Sequence, residues 1–316
     1  MSNNESFLSH IKFLKSEINN RLRKTVSSNE PKYLYEPIKY IINNSGKRLR
    51  PILVFLSGQL CKADPDDLTK AAIAVELMHN FTLVHDDIMD NDSIRHGKTA
   101  THKKWDTSSA ILSGDAIFTL SQLMLKDLPR KAYSRFNEVA LSVCEGQALD
   151  KEFENDQSIT LDKYIHMISQ KTGALLGLCA EFGPLLANKN PSVVEEFFLF
   201  GSNLGLAFQI QDDYLEIFGS SKIMGKSLGS DINSGKQTAM TILAREKNFK
   251  DWNKLIMDDS DLDSFKNFFI DNDIEKDIKR LIKKYINNTN SSISSYDLRE
   301  RNQLAEFSSL ILNRRY

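Results

Sequence analysis

Glycine and proline are scarce in this chain, 14 and 7 among 316 residues. A sheet-rich fold would need many more turn residues, so the scarcity favours long helices. Cysteine is nearly absent: Cys61, Cys144 and Cys179 are widely spaced and lie in apolar segments. That spacing excludes a disulfide framework or a thiolate metal site, and reads as small core residues in a reducing compartment. There is no excess of either charge. A net charge of −1 gives no support for a nucleic-acid partner. No apolar signal core marks the N-terminus, and no charge-free apolar run reaches transmembrane length, so a cytoplasmic location is expected. No Pro/Gly-rich linker divides the chain, which points to one domain.

What is present is helical periodicity. Phe7, Leu8, Ile11, Leu14, Ile18 and Leu22 recur at helical spacing within residues 5–24. Pro31 and Pro37 mark the starts of a short helix and a second one carrying Tyr40, Ile41 and Ile42. Ile52 to Leu60 is another apolar helix. Asp64-Pro65-Asp66-Asp67 is a strong helix start, with Asp64 capping and Asp67 able to return to the capping amide. Asn91 to Trp105 reads as a polar loop. Further helices are expected over Ser108 to Leu125, from Pro129 to Phe153, after Thr160, and after Asn190-Pro191. Gly219 to Gly235 reads as a glycine- and serine-rich loop. Thr238 to Arg245 returns to helix. Residues 250–316 suggest three shorter helices, with breaks near Asp258–Ser260 and Asn287–Ser295. No strand alternation is evident.

The segment Phe81-Thr82-Leu83-Val84-His85-Asp86-Asp87-Ile88-Met89-Asp90 sets three carboxylates inside a strongly apolar pattern. Asp212-Asp213-Tyr214-Leu215-Glu216 repeats the theme on another apolar helix. One such motif can be a solvated helix end. A second argues against that, because a core helix resists uncompensated charge. Carboxylates are hard oxygen ligands suited to Mg²⁺, which also binds phosphate oxygens. Two acidic helices facing each other across a bundle could therefore grip a diphosphate through metal ions. At about 100° per residue, His79, Asp86 and Asp90 share a face while Asp87 lies a quarter-turn away. Asp86 and Asp90 are then the direct ligands and Asp87 a supporting one. Asp212 and Glu216 share a face, with Gln209 one turn before. Lys47, Arg50 and Arg95, with Lys171, Lys226 and Lys236, could hold two separate diphosphates; singly, each reads as surface charge. No G-x-S-x-G elbow or useful cysteine–histidine pair offers a protein nucleophile.

Several short motifs occur in a fixed order: Gly46-Lys47-Arg48-Leu49-Arg50-Pro51, His79 through Arg95-His96-Gly97, and Gly114-Asp115. They continue with Gly146-Gln147-Ala148-Leu149-Asp150, Lys171-Thr172-Gly173, Phe208-Gln209-Ile210-Gln211-Asp212-Asp213, and Gly225-Lys226 to Asp231, Gly235 and Lys236. From about Lys39 to Met240 the chain resembles the trans-polyprenyl diphosphate synthases, the farnesyl/geranylgeranyl diphosphate synthase family. The resemblance implies an all-α, single-domain helical bundle of the isoprenoid synthase type with a central cavity. That domain would span residues 1–316, with a helical core of about 37–245 and C-terminal helices at about 250–316. It implies a Mg²⁺-dependent prenyltransferase, with three ions present when diphosphate is bound and Mn²⁺ as a substitute, and a homodimer. Lys47, Arg50 and His79 would bind the diphosphate of isopentenyl diphosphate. Asp86, Asp90 and Asp212 would chelate the metals, with Asp87, Asp213 and Glu216 in support. Arg95, Lys171, Lys226 and Lys236 would contact the allylic diphosphate. Lys171, Thr172 and Gln209 would face the developing carbocation, and the 219–235 loop would close over the site.

Two departures stand out. The family usually has two arginines before the glycine at 97; here the second is His96, at a position that helps bind isopentenyl diphosphate. The last carboxylate of the second motif is Glu216 where the family usually has Asp. Product length should be set by Phe81 and Thr82, five and four residues before Asp86. There is no two-residue insertion between Asp87 and Asp90 of the bacterial farnesyl type, and Phe81–Asp90 closely resembles archaeal geranylgeranyl diphosphate synthases. The expected product is the twenty-carbon diphosphate, with farnesyl diphosphate synthesis or a mixture as the alternative. A terpene cyclase would not need Lys47, Arg50 and His79, and a non-catalytic synthase subunit would not need intact acidic motifs.

Overall fold

Helix starts follow the capping chemistry of the sequence in this computed structural model, which describes residues 3–44, 46–219, 229–258, 260–297 and 300–312. The N-terminal part comprises α1 Asn3–Thr25, α2 Lys32–Ile42, α3 Leu49–Cys61 and α4 Pro65–Met89. A hairpin follows, β1 Ile94–Arg95 and β2 Lys98–Thr99, then α5 Thr101–Lys104, α6 Thr107–Leu125, α7 Arg130–Phe153 and α8 Leu161–Ile168. A π-helical turn, Ser169–Gly173, leads into α9 Ala174–Leu186 and α10 Pro191–Phe218. The remainder is α11 Ser230–Asn233, α12 Ala239–Met257, α13 Leu262–Asp271, α14 Ile274–Ser292 and α15 Asn302–Leu312.

Asp64 caps α4 by accepting from the Asp66 and Asp67 amides at 3.0 and 3.1 Å, with Pro65 in the first turn. Asp67 does not complete a capping box, because its carboxylate pairs with Lys70 instead. Asp106 caps α6, Thr160 caps α8, and Thr238 forms a reciprocal box with Thr241. Each cap satisfies amides that a first helical turn leaves without partners.

One apolar core runs through the bundle. The α1 stripe Phe7, Ile11, Leu14, Ile18 and Leu22 is buried, as its periodicity predicts. The long helix α10 packs along α9 and α14, while α4 packs along α6 and α3 on α9. Phe197, Phe200, Leu204, Ala207 and Ile210 of α10 are wholly buried. Burial of each larger side chain stabilises the fold by roughly 1.5–3 kcal/mol. By length and composition α10 could cross a membrane. Its apolarity is explained here by neighbours on several sides within the bundle.

Some expectations are corrected. Pro37 does not begin a helix but sits inside α2, where its burial beside Ile38 and Ile41 compensates for the lost hydrogen bond. Asn91 to Trp105 is not wholly loop. A two-residue antiparallel pairing of Ile94 with Thr99 and Arg95 with Lys98 is closed by His96 and Gly97, at φ 51° and 74°. Two successive positive φ values suit a tight hairpin turn. Strands this short carry no alternation to read. The break near Asp258 is present, but α12 reaches it from Ala239 with a kink at Asn248. A further break falls at Asn272-Asp273, and α14 continues to Ser292. Cys61 and Cys179 are buried, whereas Cys144 is exposed.

Candidate active site

Three contiguous cavities lie between α4, α7, the π turn and α10. The first, about 520 Å³, is lined by Lys47, Arg50, His79 and His96, together with Leu310 and Ile311 of α15. The second, about 500 Å³, is lined by Asp86, Arg95, Lys151, Lys171, Thr172 and Gln209 at one end and by Phe81, Thr82, Val143 and Leu175. The third, about 180 Å³, is lined by Asp150, Tyr164, Asp213, Glu216, Asp231 and Lys236. Arg50, His79, Phe208 and Asp212 line both the first and second cavities. Lys171, Gln209 and Asp212 line both the second and third. Two charged compartments thus meet at one wall, and an apolar pocket leads away from it.

The first compartment is cationic by construction. Arg48 adopts φ 59° at the start of α3 and is buried. Its guanidinium holds Asn19 of α1 at 2.9 Å, Glu76 of α4 at 2.5 Å, and the carbonyls of Ile42 and Asn44. This clamp fixes the turn that presents Lys47 on one side and Arg50 on the other. Arg50 Nη1 lies 2.9 Å from His79 Nε2. A guanidinium can only donate, so Nε2 accepts and His79 is neutral. Burial, then Arg50, His96, Arg95 and Arg48, hold His79 well below the usual histidine range. Burial, with Arg95 and Arg48, likewise lowers His96.

Both histidines are therefore neutral at pH 7 in the resting protein, and an anion arriving there draws a proton onto them. Affinity for a diphosphate should fall as pH rises from the depressed histidine range of the resting protein through the higher one that the bound anion imposes. His96→Arg supplies a permanent charge in a backbone conformation that Arg48 already adopts. It should lower the KM for isopentenyl diphosphate about fivefold and flatten its pH dependence. Steady-state kinetics across that range check this; an unchanged or raised KM would refute it.

On the acidic side, Asp86 and Asp212 line the same cavity from α4 and α10. Burial raises the Asp86 pKa, and Asp90 and Asp150 add to the effect while Lys171 and Arg95 oppose it. Asp90 is also disfavoured by burial, but Lys236, Lys171 and Lys151 outweigh this and its pKa is lowered. Its carboxylate sits 3.3 Å from Lys151 and 3.5 Å from Lys236. Asp87 is buried and turned to the Arg95 guanidinium, with Nε at 2.6 Å. Burial pushes it to about 6, against the pull of Arg95. The Arg95 guanidinium also meets Asp92 at 3.1 Å. Among the described residues, no group of three or more carboxylates, histidines or cysteines is already closed around a cation position. The donor chemistry nevertheless fits hard cations. Several partly buried carboxylates raise one another's pKa values, and divalent ions would relieve that repulsion.

The π turn sets the remaining groups. Gly146 of α7 lies so close to it that a Cβ there would stand 2.3 Å from the Lys171 nitrogen. A Cβ on Gly205 of α10 would meet the Gly173 Cα at 2.8 Å. These glycines let three backbones converge, and the widened turn directs Lys171 to Asp150 at 2.5 Å. Thr172 donates to Gln209 Oε1 at 3.0 Å, and Gln209 Nε2 donates to Asp213 at 3.0 Å. Tyr164 donates to the other Asp213 oxygen at 2.5 Å. Burial and then Asp231 push Asp213 up to about 7, with Tyr164 and Gln209 opposing. Glu216 is buried and accepts from the Gly229 and Asp231 amides at 3.1 and 3.3 Å. Its extra methylene helps it reach these two backbone amides. Lys226 lies outside the described residues.

The structure thus gathers Lys47, Arg50, His79 and His96 in one cavity, and Asp86, Arg95, Lys171, Thr172, Gln209 and Asp212 in the next, with Asp90 and Lys236 paired at its rim. Sequence reasoning missed Arg48, Lys151 and Tyr164. Lys151 is 61 residues from Asp90 in sequence, and only the tertiary fold brings the end of α7 to it.

A family model described as polyprenyl synthetase matches residues 31–268. The chain is 40% identical over 250 residues to a geranylgeranyl diphosphate synthase of Saccharolobus solfataricus, covering 77% of this chain and 75% of that one. It is 37% identical over 242 residues to a short chain isoprenyl diphosphate synthase of Methanothermobacter thermautotrophicus, covering 75% and 74%. The crystal structure of geranylgeranyl pyrophosphate synthetase from Pyrococcus horikoshii superposes with a TM-score of 0.89 at 31% identity, covering 98% of each chain. Fold, cavity arrangement and these likenesses agree: the chain belongs to the polyprenyl synthetase family of prenyltransferases.

Proposed function

We propose that the protein condenses isopentenyl diphosphate with allylic diphosphates and stops at geranylgeranyl diphosphate. The observation that carries this reading is the shared wall between a cationic cavity and an acid-lined cavity with an apolar extension. Two diphosphates need two sites, and their reacting carbons need to meet. Lys47, Arg50, His79 and His96 suit the homoallylic diphosphate. Lys171, Lys236 and Arg95 suit the allylic one.

Mg²⁺ is the metal we assign, held by Asp86, Asp90 and Asp212; when bound it supplies charge neutralisation to the departing diphosphate. Lys171, Lys236 and Arg95 stabilise the same leaving group as the allylic C–O bond breaks with its electron pair going to oxygen. The Thr172 hydroxyl and Gln209 carbonyl present dipoles to the allylic cation. The isopentenyl double bond then attacks C1, and a proton is lost to the released diphosphate. The apolar walls Phe81, Val143, Leu175 and Phe208 keep water from the cation.

Phe81 is the floor in this reading. It lies five residues before Asp86, about 7–8 Å down the helix. Its ring meets Phe118 of α6 at 5.0 Å and His85 at 4.7 Å. With labelled isopentenyl diphosphate, chromatography should show mainly twenty-carbon product, and Phe81→Ala should shift it to longer chains. Mainly fifteen-carbon product from the wild type would sink the length assignment, and an unchanged length in the variant would remove Phe81 as the floor.

We also assign a homodimer in the cytoplasm. Ile111, Leu112 and Leu123 are exposed within about a third of the α6 circumference, and Tyr133 and Leu141 are exposed on α7. A second copy would cover this apolar surface. Sedimentation velocity should give a dimer that Leu112→Arg dissociates; a monomeric wild type would refute it.

A further inference from the structure

The hairpin between α4 and α5 stands astride the two charged cavities. His96, at its turn, lines the first cavity with Lys47, Arg50 and His79. Arg95, the residue before it, lines the second with Asp86, Lys171 and Gln209. Neighbouring residues of one turn thus serve both compartments, and a shift of the hairpin moves both. Its own strands hold it weakly. Ile94 faces Thr99 and Arg95 faces Lys98, and a two-stranded ribbon by itself is marginal at best in water. Its position is set by what ties it to the helices.

Two such ties are present among the described residues. On the α4 side, Arg95 Nε donates to Asp87 at 2.6 Å. On the α2 side, the Tyr40 hydroxyl donates to the Thr99 carbonyl at 2.8 Å. Tyr40 is itself held in place. Its ring meets Trp105 edge-on at 5.2 Å, and the Lys104 ammonium lies 3.8 Å from the ring centroid. A gap of only about 20 Å³ separates Tyr40, Asp87, Arg95, His96 and Thr99, so the hairpin rests closely against α2 and α4. The ties differ in one respect. The Asp87 tie uses the guanidinium assigned above to the allylic diphosphate. The Tyr40 tie ends on a backbone carbonyl, and it stays when Arg95 turns to a ligand.

We propose that Tyr40 is a positioning residue, and that the hairpin it anchors couples the two diphosphate sites. This rests on the prenyl-elongation reading above. A diphosphate in either cavity meets one residue of the hairpin and thereby fixes the other. In the wild type Tyr40 has already done most of that ordering. Without it, the competent position is populated less, and the first substrate to bind is weakened by that fraction. The second finds the hairpin already ordered and loses little.

The test titrates isopentenyl diphosphate calorimetrically, with Mg²⁺ present, into the full chain alone. It is then repeated with the allylic site filled by dimethylallyl thiolodiphosphate, whose C–S bond ionises far more slowly than C–O. Tyr40→Phe removes only the hydroxyl and should weaken isopentenyl diphosphate about threefold in the otherwise empty enzyme. Tyr40→Ala also releases Trp105 and Lys104 and should weaken it about tenfold. Both losses should largely disappear once the allylic site is filled. Wild-type affinity in both variants overturns the proposal. So does a loss that persists with the allylic site filled, which would show a structural defect instead of coupling. Should the alanine variant not fold, the phenylalanine variant decides alone. If wild type itself forms no prenyl product, the elongation reading has failed; if wild type elongates and the variants bind as it does, only the role of Tyr40 has.

Discussion

Asp86→Asn should lower kcat on the order of 1,000-fold while leaving the metal-free protein at least as stable as wild type. The two halves of this result have one cause. Asp86 is half-buried near other carboxylates, and its pKa is raised first by desolvation and then by Asp90 and Asp150. A carboxyl whose folded pKa lies above its unfolded value contributes stability below the unfolded pKa and loses it as pH rises through the folded one. At neutral pH the ionised side chain is therefore a burden on the resting fold. Asparagine removes the charge at nearly constant volume. It also removes a hard anionic ligand, and the loss of one such preorganised charge at a reacting centre is worth two to three orders of magnitude or more. Steady-state kinetics and calorimetry without added divalent ions read the two halves separately. A variant that keeps its rate would remove Asp86 from the metal set. One that loses rate and also melts well below wild type would show a structural defect instead.

Gly146→Ala should be nearly as damaging by another route. The added methyl meets the Lys171 nitrogen, the Gln170 carbonyl carbon and the Lys171 Cα, all at 2.3–2.8 Å. These are backbone atoms of a packed turn and cannot rotate away. Relief requires α7 to separate from the π turn, which carries Lys171 and Thr172. Overpacking of this kind costs about 1–3 kcal/mol, or a melting temperature roughly 5 °C lower. Displacing two groups from the reacting atoms by about 1 Å should cost roughly 100-fold in kcat. Thermal melts with single-turnover rates check it; wild-type values for both would mean that the close approach is not needed.

Much of the fold is legible because its signals are local. Asp64-Pro65 and Thr160 mark helix starts by capping them, Asn190-Pro191 marks one through its proline although Asn190 makes no side-chain cap, and the α1 stripe declares its buried face. The π turn is not legible: Ser169 to Gly173 has ordinary helical composition, and only its crossing with Gly146 and Gly205 reveals why it widens. The hairpin at Ile94–Thr99 is too short to show a period. Within the site, the acidic motifs announce themselves because charge on an apolar helix is costly. Arg48 does not, since it sits in a run of basic residues and only tertiary packing distinguishes the buried clamp from its neighbours. Tyr164 looks like any core aromatic until Asp213 is placed beside it. The sequence motifs name which residues matter; helix crossings decide what each one touches.

If Asp90 is a metal ligand as proposed, the two lysines on it would make the site an ion exchanger. Lys151 and Lys236 hold its carboxylate at 3.3 and 3.5 Å in the resting protein. A cation that takes Asp90 must first displace ammonium groups. Once displaced, those ammoniums are released at the rim of the cavity, where an incoming diphosphate needs positive charge. Capture of the metal and preparation of the anion site would then be one exchange.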